Sequence, residues 1–388
     1  MKLTFYSNYF NHHQKALCDA FYSRLGQGFT FVETEPIEEF RSQMGWGGET
    51  VPSYVLKTYI SKKNLDRAYE LALESDLVIM GTAPEVLIRK RLEQDRLTFR
   101  YSERPLKEGR VKVLIPRLAK KFYVNHYKNR NKQLYILAAG AYCSSDYRFL
   151  HSYIDKCYKF GYFPFGEIKS FDELMKLKER NRPVRVLWTG RFLKLKRADL
   201  FIRAAANCAA KGLDFRISLV GGGEEEAKLK SLVSSLGLSD RTEFPGYLSP
   251  EETRQAMREA NIFVMTSNKL EGWGSVIYEG LSSGCAVIAS HAAGATPFLI
   301  DQGYDGLIFK SGSVASLTGA LEELLRKPER VIQLGHAAYD NMRRYWNPNV
   351  AAERTIELAE GLLKGEPPEF EKGPLSRCED IKDNWFKG

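Results

Sequence analysis

The residues with the most to offer chemically lie in one stretch, Ser267-Asn268-Lys269-Leu270-Glu271-Gly272-Trp273-Gly274-Ser275-Val276-Ile277-Tyr278-Glu279-Gly280. Glu271 falls in the loop after an apolar run of strand length, 262–266. Gly272 and Gly274 free the backbone on either side of Trp273, and a helix is predicted from Ser275, which puts Glu279 one turn inside it. The open amides of a helix N-terminus favour a phosphate, and a carboxylate beside them can accept hydrogen bonds from sugar hydroxyls. A second carboxylate on the same side suits a vicinal diol such as a ribose. The bland alternative, a loop followed by a solvated helix glutamate, leaves the Glu-Gly-Trp-Gly cluster unexplained.

Two cations fit the same chemistry. Gly190-Arg191 directly follows the apolar run 184–189, and Lys196 comes five residues later, near the start of the next helix. A guanidinium and an ammonium at a helix N-terminus can neutralise a diphosphate; two solvated surface cations are the other reading. Gly221, Gly222 and Gly223 follow the run 215–220. They serve either close approach of a ligand to the backbone or a tight strand-to-helix turn, and Glu226 excludes the Gly-x-Gly-x-x-Gly dinucleotide pattern. No Asp-x-Asp pair occurs in the chain, so no carboxylate cluster is expected to hold a divalent ion on a diphosphate, and the expected metal ligands are none.

These residues must be positioned by strands and helices, and both alternate along almost the whole chain. Strands are predicted at 3–7, 29–34, 77–81, 97–101 and 134–138, with helices at 11–25, 65–73, 85–92 and 146–153. After a Gly/Pro/Phe-rich break at 161–166 and a polar helix at 169–182, the pattern restarts. Strands are predicted at 184–189, 215–220, 242–244, 262–266 and 286–289, and helices at 198–210, 225–236, 250–260, 275–283, 313–325, 329–344 and 350–363. Such alternation predicts parallel sheets covered by helices, and open sheets of this kind bind ligands beyond the carboxyl ends of their strands. At roughly 150 residues per domain, the chain of 388 residues divides in two: a first domain over 1–165, with a tail 366–388 packing back on it, and a second over 166–365, whose last helix is expected to cross back.

The C-terminal half, over about 184–345, resembles glycosyltransferase family 4, of the type that assembles bacterial capsule and exopolysaccharide. The resemblance rests on Thr189-Gly190-Arg191-Phe192 with Lys196, Val220-Gly221-Gly222-Gly223, Phe244-Pro245-Gly246-Tyr247, the Glu271-to-Glu279 spacing, and Gly284-Cys285-Ala286-Val287-Ile288-Ala289-Ser290. It implies a GT-B fold, two Rossmann-like α/β domains facing across a cleft, and a retaining, metal-independent transfer from a nucleotide-sugar donor. It implies that Arg191 and Lys196 bind the donor diphosphate and Glu271 the transferred sugar, these three being the catalytic candidates. Glu279 would meet the ribose and Tyr247 the nucleobase, with Gly190, Gly221, Gly222, Gly223, Ser267, Gly272, Trp273, Gly274 and Ser275 completing the donor site. No cofactor is expected; the donor, with a UDP-sugar favoured, is a substrate, and the acceptor is a saccharide or is lipid-linked. In the N-terminal half, Ser7-Asn8-Tyr9-Phe10-Asn11-His12-His13-Gln14 resembles the opening of the same bacterial members. His12, His13 and Glu103 are the acceptor-side candidates, although Ser102-Glu103 stands where the family often places a histidine. A non-catalytic sugar-nucleotide-binding subunit and a GT-B-like epimerase are the competing functions.

Bulk properties agree with a globular chain that meets polyanions. Net charge is +9, 44% of residues are hydrophobic and 27% charged, and no apolar run reaches the ~18 residues that span a bilayer. The N-terminus reads as a first strand rather than a signal peptide. Six scattered cysteines without a Cys-x-x-Cys pair point to a reducing cytoplasm. Between Arg104 and Lys132, eight further cations from Lys107 to Arg130 face only Glu108 and are interleaved with apolar residues. This composition suits loose attachment to the inner face of an anionic membrane, with Phe122 and Tyr123 inserting; a core-packed helix with a solvated basic face is the alternative. No nucleic-acid motif accompanies the stretch.

Overall fold

The computed structural model describes residues 1–38, 51–164 and 168–387. It holds two compact units, Met1–Pro164 with Tyr345–Lys382, and Phe165–Arg344 with Asp383–Gly388. Each is built on one all-parallel sheet, so the chain has the two Rossmann-like α/β domains of the GT-B fold. The hinge expected near 165 falls where 165–167 lie outside the described residues.

The first unit's strands are β1 (Leu3–Ser7), β2 (Phe29–Glu33), β3 (Val55–Lys57), β4 (Leu77–Met80), β5 (Thr98–Ser102), β6 (Leu134–Ala139) and β7 (Cys157–Phe160), in the order β3-β2-β1-β4-β5-β6-β7. All five residues of β1 and all four of β4 are buried, as a parallel strand covered on both faces requires. One face packs Tyr6, Val78, Met80, Ile136 and Ala138 into a core with Ala68, Leu71, Ile88 and Tyr147. The helix predicted at 146–153 is found earlier, at Cys143–Phe149.

The second unit's strands are β8 (Val184–Thr189), β9 (Phe215–Val220), β10 (Thr242–Gly246), β11 (Ile262–Met265), β12 (Ala286–Ser290) and β13 (Leu307–Phe309), in the order β10-β9-β8-β11-β12-β13. The strand order therefore reverses between β1 and β4 in one sheet and between β8 and β11 in the other. Loops leaving neighbouring strands at such a point turn to opposite faces and leave a crevice at the carboxyl ends.

The end of the second domain, expected at 365, is corrected: Tyr345–Lys382 belong to the first unit. The helix Pro348–Lys364 packs on His12–Leu25, where Arg24 donates to the Asn349 side chain at 3.3 Å. The tail then runs antiparallel along β7. Lys159 N–H donates to Ser376 at 2.8 Å, and Cys378 N–H donates to Cys157 at 3.0 Å. A free edge strand is thereby covered. The last residues, Asp383–Gly388, group with the second unit, where the Asp383 carbonyl lies 3.2 Å from His291 Nε2.

Candidate functional site

The second unit gathers the sequence's chemical residues at the β8/β11 reversal. Arg191 and Lys196 lie on the loop after β8, and the loop after β11 carries Ser267, Glu271 and Gly274. Hydrogen bonds join the two loops. Trp188 Nε1 donates to Thr266 Oγ1 at 2.9 Å, Thr266 Oγ1 donates to the Lys196 carbonyl at 2.6 Å, and Asn268 N–H donates to the Leu195 carbonyl at 2.9 Å. The Lys196 ammonium, held at the backbone in this way, forms a charge-assisted hydrogen bond and ion pair with Glu271. Arg191 is exposed at the mouth of the same loop.

Thr266 and Asn268 were not singled out from the sequence. Thr266 ties β8 to β11. The Asn268 side chain accepts from Leu270 N–H at 3.0 Å, a local turn in which asparagine mimics backbone. That signal was legible, because Asn followed by a Gly-rich segment favours such turns.

The helix Ser275–Ser282 starts beside Glu271. Gly274 is its left-handed N-cap, φ 90°. The left-handed backbone favours glycine there; a Cβ would come 2.8 Å from the Met265 Cε, a flexible tip that can give way, and 3.5 Å from Glu271 Cγ. Ser275 is half-buried and its amide belongs to the open first turn. Gly272 is buried, as is Ser267. Trp273 is fully buried, its ring 6.3 Å from Phe298 and its carbonyl accepting from Ala295 N–H at 2.9 Å. The indole thus anchors the loop from below.

Glu279, half-buried, is one turn into the helix. Burial pushes its carboxyl up to about 7, against the opposing pull of the Arg254 guanidinium. A carboxyl that titrates near neutrality at a crevice is a common mark of a functional site.

The triple glycine acts on a neighbouring loop. A Cβ on Gly221, φ 130°, would lie 2.0 Å from the Gly190 carbonyl oxygen, and one on Gly223 would lie 2.8 Å from the Phe192 carbonyl oxygen. Gly190 N–H donates to Val220 at 3.0 Å and Phe192 N–H to Gly222 at 2.8 Å. These glycines let the β9 loop press backbone to backbone on the loop that carries Arg191. Gly222 instead faces Tyr247: a Cβ would meet its ring at 2.7 Å, and the ring is exposed beside it.

In the first unit, His12 and His13 open the helix that follows β1. The Asn11 side chain caps it, accepting from His13 N–H at 2.9 Å. The two imidazoles lie 4.0 Å apart, and His13 is 5.9 Å from the Tyr162 ring. Glu103 follows β5, 3.7 Å from Lys107 and 3.5 Å from the Tyr162 hydroxyl. Tyr162 therefore links His13 to Glu103 at the carboxyl edge of the sheet. Burial, with Glu103 close by, raises its phenol above the usual range. Among the described residues no cluster of three or more His, Cys, Asp or Glu side chains could hold a metal ion.

Comparison with known proteins adds a family to this geometry. Residues 171–341 match the family described as glycosyl transferases group 1. The amylovoran biosynthesis glycosyltransferase AmsK of Erwinia amylovora is 26% identical over 194 residues, 48% of this chain and 47% of the relative. A GDP-mannose-dependent alpha-(1-6)-phosphatidylinositol monomannoside mannosyltransferase of Mycolicibacterium smegmatis is 28% identical over 204 residues, 49% of this chain and 52% of the relative. The chain spans about half the length of the curated relatives it matches. In fold the likeness is wider. HepE of Anabaena, solved with UDP, superposes with a TM-score of 0.68 at 17% identity, covering 94% of this chain and all of HepE. The lipopolysaccharide outer core galactosyltransferase WaaB gives 0.65 at 15% identity and 94% coverage. Residues 171–341, the stretch that matches the glycosyl transferases group 1 family, include Arg191, Lys196, Glu271 and Glu279.

Proposed function

We propose that the chain is a retaining, metal-independent glycosyltransferase that moves a sugar from a nucleotide-sugar donor to a saccharide or lipid-linked acceptor in surface polysaccharide or glycoconjugate assembly. The observation that carries the proposal is the meeting of Lys196 and Glu271 beside the N-terminus of Ser275–Ser282, at the strand-order reversal. In the reaction the sugar C1–O bond to the diphosphate breaks and its electron pair leaves with the diphosphate. The acceptor oxygen bonds to C1, and the acceptor proton departs with the phosphate or to water.

Arg191, Lys196 and the amides at Gly274 and Ser275 meet the charge that develops on the leaving diphosphate. Glu271 accepts hydrogen bonds from the sugar, Glu279 from the ribose, and Tyr247 lies against the base. His12, His13 and Glu103 are acceptor-side candidates. The UDP in HepE supports a UDP-sugar, while the mycobacterial relative is named for GDP-mannose. No helix among the described residues is long and apolar enough to cross a membrane. We place the protein in the cytoplasm, seated peripherally on an anionic membrane.

The test is product analysis with a panel of UDP- and GDP-sugars. One donor is expected to release its nucleoside diphosphate, with the anomeric configuration kept in the product by NMR. Epimerised donor without transfer, or inversion at C1, would overturn the assignment.

A further inference from the structure

A helix that crosses over between parallel strands ordinarily buries an apolar stripe against the sheet. The excursion between β5 and β6 does otherwise. Arg110–Leu114 is a 3-10 turn and Pro116–Asn125 a helix, and neither holds a buried residue. Where the two pieces meet, Val111 is 71% exposed, Leu114 79% and Ile115 49%. Tyr123 and Val124 are exposed further along. Exposed Phe149 joins the group, with the Arg110 guanidinium 4.6 Å from its ring centre. Phe122, expected to insert, is half-buried beside His126 at 6.2 Å. Scattered apolar surface residues need no explanation, but bulky aliphatics gathered at one turn do.

The charge around this turn is predominantly positive, with Glu108 paired to Lys112. Arg117, Lys120, Lys121 and Lys128 are exposed. The ion pairs of the stretch among the described residues are made by Arg104, Lys107 and Lys112, with Asp146, Glu103 and Glu108. Aliphatic tips flanked by long-stemmed cations are the two halves of an interfacial anchor: the tips enter the acyl boundary and the charged heads stay among the phosphates. A partner helix would need a groove. Side chains as exposed as Val111 and Leu114 stand proud of the surface, and a fluid lipid phase accepts them without a shaped counterpart.

We infer that Val111, Leu114 and Ile115 form a wedge that inserts into an anionic lipid surface, held there by Arg117, Lys120, Lys121 and Lys128. This deepens the membrane seat proposed above by naming the inserting turn.

The full chain is mixed with phosphatidylcholine vesicles containing about 30% phosphatidylglycerol. Each cation near such a surface multiplies partitioning about fivefold, so Arg117→Glu, Lys120→Glu, Lys121→Glu and Lys128→Glu together should weaken binding by about 600-fold or more. Val111→Ser, Leu114→Ser and Ile115→Ser together should leave low-salt binding but abolish what survives at about 0.5 M salt. A Leu114→Trp chain should show added emission quenched by brominated lipid. Indifference of the parent to anionic vesicles overturns the inference, as does binding with Leu114→Trp unquenched. Binding to polyglutamate but to no vesicle would assign the surface to an acidic protein instead. Thermal shift by nucleoside diphosphates on the same samples keeps the two readings separate: its loss in the parent, with vesicle binding intact, sinks the donor site and leaves the anchor standing.

Discussion

Lys196 is paired with Glu271, and the diphosphate of a donor competes with that carboxylate for the same ammonium. Glu271→Gln should therefore affect binding and turnover in opposite directions. The two side chains are 21% and 15% exposed, so the pair is only partly screened. Its gross attraction at an effective dielectric of ~20 is on the order of 4 kcal/mol. Desolvation and water competition reduce the net value to about 1.4 kcal/mol. Removing the competing charge should tighten a sugar-free nucleoside diphosphate by about tenfold, since 1.4 kcal/mol is one decade. The same substitution leaves the sugar hydroxyls a neutral amide oxygen in place of a charged carboxylate and should lower turnover by about 100-fold. Calorimetry with UDP, GDP and ADP, beside turnover on the donor that the panel identifies, reads both, and an unchanged Tm shows that the fold is intact. Weaker or unchanged nucleotide binding in the variant would refute the competition between carboxylate and diphosphate.

Four further outcomes follow from the site. Arg191→Ala should cut turnover by about 100-fold to 1,000-fold with little change in Tm, and full activity would remove it from the mechanism. Turnover should survive EDTA, whereas a magnesium-reversible loss would give the diphosphate to a metal. Gly221→Ala places a Cβ 2.0 Å from a backbone oxygen at φ 130° and should cost about 3 kcal/mol or more, lowering Tm by several degrees. Gly237→Ala, where nothing lies within 4 Å of the added carbon, shares the left-handed strain and should cost about 1 kcal/mol; equal losses would refute the role given to the close loop contact. Glu279, raised from 4.5 to about 7, keeps its proton in the folded chain where the unfolded chain has lost it. Its contribution to stability is therefore present below about 4.5 and lost as pH rises through 7. Glu279→Gln should flatten that slope in urea titrations, and an unaltered slope would place the linkage elsewhere.

Much of this architecture was legible because buried parallel strands read as mostly apolar runs of strand length, even where an exposed arginine interrupts them, as at 185 and 216. The runs at 184–189 and 215–220 match β8 and β9 residue for residue. Three strands escaped for separate reasons. β3 and β13 are three residues long, too short for a period to show. β7, Cys-Tyr-Lys-Phe, carries a lysine and runs into the Gly/Phe-rich break. That the last helix crosses back was expected; that Pro348–Lys364 seats on His12–Leu25 was not, because its apolar stripe says that it packs, not on what.

At the site, residue types and spacing announced Lys196, Glu271 and Glu279. The ion pair between the first two joins residues 75 apart in the chain and follows only from the β8/β11 neighbourhood. The glycines at 221 and 223 illustrate the reverse. Their type signalled a close approach, and the partner proved to be the neighbouring loop.

The most direct test of the central claim is nucleoside diphosphate affinity, measured by calorimetry on the parent chain and on Lys196→Ala. A diphosphate held by fixed cations loses about 2.7 kcal/mol or more when one is removed. The account predicts that one of UDP, GDP and ADP binds the parent and binds Lys196→Ala at least 100-fold more weakly. Equal affinity in the two chains, or no binding of any nucleoside diphosphate to the parent at millimolar concentration, would contradict it.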